Sequence, residues 1–276
     1  MTAAAIIIVI ISFLYLFAIE PRKSDKSQYA KFAARYYAHR GLYEKDQSVP
    51  ENSLTAFDRA CEKGYGIELD VHLLTDGVLA VVHDDSLKRV CGEDIAVSSL
   101  SSNDIKKLRL FGTDEKIPLF SEVLDTVGGR VPLIIEMKTE SGNASALAAE
   151  LWRELSGYKG LYCVESFDPR AVAWFNRRQP NVYRGQLVLS KKAYSGKSSL
   201  VRILAANVFA NFIARPHFVA HDQGKKTFSV KLCEFLGARS FVWAVSDPEK
   251  AKAFEVENDG VIFEFFEPRA KYYKEL

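Results

Sequence analysis

Two carboxylates, an imidazole and a turn signal fall together in Glu68-Leu69-Asp70-Val71-His72-Leu73-Leu74-Thr75-Asp76-Gly77-Val78-Leu79-Ala80-Val81-Val82-His83-Asp84. Two apolar runs are joined there by Asp76-Gly77, a dipeptide that favours a two-residue hairpin turn. Counting outward from that turn pairs Thr75 with Val78, Leu74 with Leu79 and Asp70 with His83. Side chains alternate faces along a strand, so Glu68, Asp70 and His83 are expected on one face. Acidic groups beside an imidazole suit a bound cation next to an acid–base group.

The same spacing recurs in Ile134-Ile135-Glu136-Met137-Lys138. Three ionised carboxylates, Glu68, Asp70 and Glu136, repel one another unless a cation neutralises them. Oxygen-only donors select one hard divalent ion, Mg²⁺ or Ca²⁺, with Mn²⁺ also suited, over Zn²⁺. A buried ion-pair network with Lys138 and Arg40 as counter-ions accounts for the spacing equally well. Of the five histidines, His39 and His83 fall beside the proposed cation, and a pair of imidazoles can supply one base and one acid near neutral pH. His72 reads as part of the hairpin stem, and His217 and His221 carry no signal.

Arg40 follows His39 and precedes Gly41, whose freedom lets the chain turn the guanidinium inward. Guanidinium matches phosphate oxygens in bidentate fashion and ammonium acts as a point charge, so Arg40 and Lys138 define an anion site. A cation, two cationic side chains and two histidines point to phosphodiester cleavage, in which charge on the phosphoryl oxygens is stabilised while imidazoles move protons.

Those residues need strands to carry them. Short apolar runs are expected as strands at Tyr36–His39, Ile67–Val71, Val131–Lys138, Leu161–Ser166, Val182–Leu189, Phe209–Ala214, Ser240–Val245 and Gly260–Glu264. Helical patterns alternate with them, including one capped at Asn52 or Ser53 and ended by Gly64, then Ala144–Glu154, Pro169–Arg178 and Pro248–Phe254. Eight strands separated by helices imply parallel pairing and an α/β fold, a TIM-type (β/α)8 barrel with a β-hairpin extension. Active sites of such barrels lie at the carboxyl ends of the strands, which here carry His39, Glu68, Asp70, Glu136, Lys138, Trp243 and Glu264, with Glu165 or Ser166 on the fifth.

Composition is that of an ordinary globular chain: 276 residues, 48% hydrophobic and 26% charged. A net charge of +2 gives no support to a nucleic-acid role, which calls for a clustered basic face. Cys61, Cys91, Cys163 and Cys233 form no ligand pair. Residues 1–19 carry no charged side chain. At 1.5 Å per residue they would span about 28 Å, so residues 1–20 are expected as a transmembrane helix, residues 21–30 as a linker and 31–276 as the barrel. A cleaved signal peptide would want basic residues ahead of the run and a small-x-small site after it. Arg22, Lys23, Lys26 and Lys31 follow the segment, which predicts a single-pass membrane protein with the barrel on the cytoplasmic side.

The motifs Ala38-His39-Arg40-Gly41, Pro50-Glu51-Asn52-Ser53, Glu68-Leu69-Asp70-Val71, Val82-His83-Asp84 and Ile135-Glu136-Met137-Lys138, in this order, resemble the glycerophosphodiester phosphodiesterase family. Thinner matches follow at Ser166-Phe167-Asp168 and Trp243-Ala244-Val245-Ser246-Asp247-Pro248. The resemblance implies a TIM-type barrel with an insertion at about 85–117, and metal-dependent hydrolysis of glycerophosphodiesters to an alcohol and glycerol 3-phosphate. It further implies His39 and His83 as the acid–base pair, Glu68, Asp70 and Glu136 as metal ligands, Arg40 and Lys138 on phosphate, and Trp243 in the pocket. The final strand departs from the family: Phe263-Glu264-Phe265-Phe266-Glu267-Pro268 stands where a Thr-Asp-x-Pro pattern is usual. Two other readings use the same residues. One is a membrane-associated lysophospholipase D acting on lysophospholipids, and the other a non-catalytic barrel that binds phosphorylated ligands.

Overall fold

A computed structural model describes residues 3–140, 142–194 and 198–272. Among the described residues, runs of β-branched and aromatic residues form nine strands: β1 (Arg35–His39), β2 (Gly66–Leu73), β3 (Leu79–Val81), β4 (Leu133–Met137), β5 (Tyr162–Ser166), β6 (Arg184–Val188), β7 (Phe218–Asp222), β8 (Arg239–Val245) and β9 (Gly260–Phe263). Eight of them pair side by side in the order β1-β9-β8-β7-β6-β5-β4-β2, and a β1–β2 pairing closes the ring. Every pairing in the ring is parallel, and β3 alone lies antiparallel, on β2. The expected closed barrel is therefore present.

Alternation along each strand makes two cores. Ile67, Leu69, Val71, Leu133, Ile135 and Met137 point outward and pack with Phe57, Phe120, Leu147 and Leu151 of the surrounding helices. Tyr37, Ile134, Cys163, Phe218, Phe241 and Ile262 point inward and fill the lower barrel. Local chemistry sets the connections. Ser53 caps the helix Leu54–Glu62, its side chain accepting from the Ala56 backbone N–H, a bond whose loss costs about 1 kcal/mol.

Three expectations are corrected. The hairpin register is Leu73↔Leu79 and Val71↔Val81, which opposes Asp70 to Val82 rather than to His83. Leu74 and Val78 still bond, Leu74 N–H donating to Val78 O at 2.9 Å, and Gly77 sits at φ +80°. A left-handed glycine adding one residue to the turn is the three-residue hairpin loop, and that residue moves the register by one. His83 nevertheless reaches the same pocket as Glu68, because β3 stops at Val81 and strict alternation ends with it.

The apolar run at 209–214 is not a strand. Asn211–Ala214 is a helical turn ended by Arg215 in the left-handed region at φ +42°, and the barrel strand β7 starts after Pro216. The expected membrane anchor is overturned as well: among the described residues, no helix is long and apolar enough to cross a membrane. The helix Ala3–Ile19 has 17 residues, about 26 Å at 1.5 Å each, and Pro21 disfavours its continuation. Its last turns lie against the barrel wall: Ile19 is fully buried, Asn211 Nδ2 donates to Ile19 O at 3.2 Å, and the Arg215 guanidinium lies 4.5 Å over the Phe17 ring. Single-pass topology and the cytoplasmic placement derived from it fall together. Beyond it, Lys26–Ala30 is a short helix capped by Asp25, with Tyr29 buried.

Residues 85–117 carry two short helices, Lys88–Cys91 and Ser102–Ile105. Leu87, Val90, Val97, Ile105, Leu110 and Ile117 cluster there with Leu74 and Ala80 of the hairpin.

Candidate active site

The carboxyl ends of the strands meet in a pocket of about 90 Å³ whose wall includes His39, Arg40, Glu68, His83, Glu136, Lys138, Glu165 and Trp243. Asp70 is fully buried beside it, with Lys138 Nζ at 3.0 Å and Arg40 Nε at 3.6 Å from its carboxylate. All eight residues that the sequence nominated are thus brought together.

Backbone strain sets the corner at Arg40. It adopts φ +55°, followed by Gly41 at φ +81°, and a Cβ on Gly41 would lie 2.9 Å from Ala56 C. Only glycine fits there. The turn aims the Arg40 N–H at Glu68 Oε2, 3.1 Å away, and its guanidinium at Glu51 Oε1, 2.7 Å away. Asn52 also lies in the left-handed region, at φ +55°, and donates through Nδ2 to Asp70 Oδ2 at 2.9 Å.

Each pocket histidine is held at one nitrogen by a carboxylate. His39 Nδ1 lies 2.8 Å from Glu264 Oε2, which also accepts from Tyr43 Oη at 3.0 Å. His83 Nδ1 lies 2.7 Å from Asp84 Oδ1. Asp84 in turn pairs with Arg89, which reaches Glu51. A carboxylate at Nδ1 fixes the ring and leaves Nε2 for chemistry. Burial lowers the pKa of both imidazoles below the ordinary histidine value, an effect the neighbouring carboxylates only partly offset. Asp84 titrates near 2: burial works upward, and the bonds from Arg89 and His83 outweigh it.

The acids are crowded. Ligand atoms of Glu68, Asp70 and Glu136 all lie within 4.8 Å of one another. Burial, then the charges of Asp70, Glu136 and Glu165, push Glu68 well above the usual carboxylate range. Burial raises Glu136 to about 7 despite Lys138, which bridges it to Asp70 at 2.8 Å and 3.0 Å. Asp70 stays well below its ordinary value: burial opposes ionisation, but Lys138, His83 and Arg40 overcome it. Glu165, raised by burial and by Glu136, has an Oε2 atom with no hydrogen-bond partner among the described residues. Four buried carboxylates thus face Lys138 and Arg40, and Arg40 is shared with Glu51. The ion-pair network exists, and its carboxyl groups outnumber its cations. All-oxygen donors in excess of their counter-ions, with protons to give up to a bound ion, fit a hard divalent cation.

The nomination missed Glu51, Asp84, Arg89, Glu165 and Glu264 as working parts. Glu51 and Asp84 sat inside matched motifs, next to nominated residues. Glu165 and Glu264 stood at strand ends without a partner to mark them. Arg89 belongs to the insertion, where no spacing rule reaches. Of the unusual aromatics at the last strand, Phe266 packs edge-on against Tyr36 and Phe263, while Phe265 is half-exposed and meets Tyr43.

A family model of the glycerophosphoryl diester phosphodiesterase family matches residues 39–267. The chain belongs to that family. A glycerophosphodiester phosphodiesterase of Caldanaerobacter subterraneus subsp. tengcongensis is 41% identical over 110 residues, which cover 37% of this chain and 44% of that relative, so the match spans less than half of its length. A phosphodiesterase of Oleispira antarctica, solved in complex with the product sn-glycerol-3-phosphate, shares the fold with a TM-score of 0.69 at 21% identity, covering 85% of this chain and 94% of that one. A glycerophosphodiester phosphodiesterase of Thermotoga maritima superimposes with a TM-score of 0.62 at 26% identity, over 83% and 94% of the two chains.

Proposed function

We propose that this protein hydrolyses glycerophosphodiesters, releasing an alcohol and sn-glycerol 3-phosphate. The observation that carries the reading is the pair of imidazoles, each steadied by its own carboxylate, on the wall of a pocket that also holds clustered acids and two cations. Glu68, Asp70 and Glu136 would hold one divalent cation, Mg²⁺ or Ca²⁺, with Mn²⁺ a third candidate. Such an ion supplies positive charge to the phosphoryl oxygens as negative charge builds on them. Arg40 and Lys138 bind and orient the phosphate. One imidazole Nε2 takes a proton from the attacking water while the other gives one to the departing alkoxide, and depressed pKa values keep a base available at neutral pH. The Trp243 Nε1–H, buried with no partner among the described residues, offers a donor to the substrate.

Formation of glycerol 3-phosphate from glycerophosphocholine by the full chain is the test, with a divalent ion present and after EDTA. Turnover that EDTA abolishes and the ion restores is expected. Binding of the diester without any turnover would instead make the barrel a phosphate-ligand binder.

A further inference from the structure

One pleat beyond Asp70 and Lys138, a second set of ligand-type side chains converges. His72 stands two residues past Asp70 on β2, and Glu140 two past Lys138, where β4 has ended. Asp85 opens the insertion, directly after His83-Asp84. One ligand atom each of His72, Asp85 and Glu140 lies within 4.8 Å of the other two. Atoms so placed share a point within about 2.8 Å of all three, so shifts of under about 1 Å reach the roughly 2.0–2.2 Å of Zn–N and Zn–O bonds.

The imidazole separates this cluster from ordinary surface acids. His72 is 1% exposed. Its Nε2 meets the backbone oxygen of His83 at 3.4 Å, which places the ring proton on Nε2. The Nδ1 lone pair is then left facing Glu140 Oε1 at 3.5 Å, too far for a hydrogen bond. Among the described residues Nδ1 makes no hydrogen bond, and no lysine or arginine pairs with the carboxylate of Asp85 or Glu140. Lys138 is engaged by Asp70 and Glu136. Three acceptors therefore face one another with no donor between them, which a cation resolves. The backbone holds two of them in place: Glu140 N–H donates to Asn143 Oδ1 at 2.9 Å, and Val97 N–H to Asp85 O at 2.9 Å.

We propose that His72, Asp85 and Glu140 bind a second divalent cation, of the Zn²⁺ class, separate from the cluster of Glu68, Asp70 and Glu136. An imidazole with two carboxylates is a mixed nitrogen–oxygen donor set, unlike the all-oxygen set below it, and leaves a fourth tetrahedral position to water. The ion ties the start of the insertion to β2 and to the end of β4. Coordination at Nδ1 also strengthens the Nε2–H as a donor, and a ligating imidazole commonly gives that proton to a backbone carbonyl. Here the carbonyl is that of His83, so the ion steadies the backbone of a pocket histidine. None of the three ligands is among the residues assigned to the reaction.

The experiment titrates Zn²⁺ into the full chain by calorimetry, in the presence of Mg²⁺, and follows the thermal melt with and without Zn²⁺. A Zn²⁺ site is expected that survives in Glu68→Gln and raises the melting temperature. Altering a group behind a ligand already costs about 10–100-fold in affinity, so Asp85→Asn, Glu140→Gln and His72→Gln should each weaken Zn²⁺ at least about 100-fold and abolish the shift of the melt. His72 is buried and its variant may not fold, whereas Asp85 and Glu140 reach solvent and their variants carry the test alone. No Zn²⁺ site that survives Glu68→Gln, or one equally tight in Asp85→Asn and Glu140→Gln, overturns the proposal. Glycerophosphocholine turnover is read separately, so failure of the hydrolase reading and failure of this site are distinguished.

Discussion

Inside the barrel, residues two apart on the same strands make two very different layers. The lower layer holds rings, Tyr37, Phe218 and Phe241, and one pleat higher the same strands carry His39, Ala220 and Trp243. Room for the rings comes from glycines on adjacent strands: a Cβ on Gly66 would meet Tyr37 at 2.3 Å, on Gly185 Phe218 at 2.1 Å, and on Gly260 Phe241 at 2.3 Å. Four upper-layer carboxylates, Glu68, Asp70, Glu136 and Glu165, are buried almost as deeply, yet they are specified by charge rather than by shape. The lower layer is therefore a device for stability. The upper layer costs stability and holds its groups poised for chemistry, a trade common at active sites.

Breaking the upper layer should show in rate before stability. His39→Ala and His83→Ala are each expected to lower turnover of glycerophosphocholine by roughly 10²–10⁴-fold, while thermal melts stay close to wild type. Near-normal turnover in either variant would take that histidine out of the mechanism. Breaking the lower layer should do the reverse. Gly185→Ala forces a methyl into the Phe218 ring, and overpacking of this kind costs about 1–3 kcal/mol, read as a lowered urea midpoint. A midpoint unchanged from wild type would mean the floor is not shape-limited.

The layers should also answer pH with opposite sign. His217, buried beneath Tyr183, has its pKa lowered to about 3 by burial and by Arg184 and Arg22. The unfolded chain takes up that proton near 6.5 and the folded chain does not, so stability falls as pH drops from 6.5 toward 3, at up to about 1.4 kcal/mol per pH unit. His217→Gln should flatten that slope. In the upper layer Glu136 is raised to about 7, so in EDTA the folded chain binds the extra proton, and stability is lost as pH rises from 4.5 through 7. Calorimetric melts across this range, with and without Mg²⁺, should show that second loss only in EDTA. An identical profile in both would remove Glu136 from the cation site. The smallest effect is expected at Glu165→Gln, which relieves repulsion and should raise the metal-free melting temperature by a few degrees; a lowered value would mean that its charge is compensated.

Legibility in the sequence follows the same division. Upper-layer groups were readable because charged residues at spacing two, inside apolar runs, have no packing explanation. Seven of the eight barrel strands were readable from apolar alternation with helices between. The exception, at 209–214, shows the limit: a six-residue apolar run has no period of its own, and Arg215-Pro216 decided where the strand began. The hairpin register failed for a comparable reason, since Asp76-Gly77 announces a turn without fixing how many residues it uses. Charge absence at the amino terminus measured hydropathy and not the contacts of Tyr15 with Ser229 and of Ile19 with Asn211, which pairwise spacing cannot reveal. The carboxylates behind the histidines were half-visible, Asp84 by adjacency and Glu264 only once β9 stood beside β1.

Titration of Mg²⁺ or Ca²⁺ into the full chain by calorimetry at pH 7.5 addresses the upper layer most directly. One saturable site is expected, lost in Asp70→Asn and Glu68→Gln and retained in Glu264→Gln, whose carboxylate serves His39 instead. No saturable binding, or equal affinity in wild type and Asp70→Asn, would contradict the account.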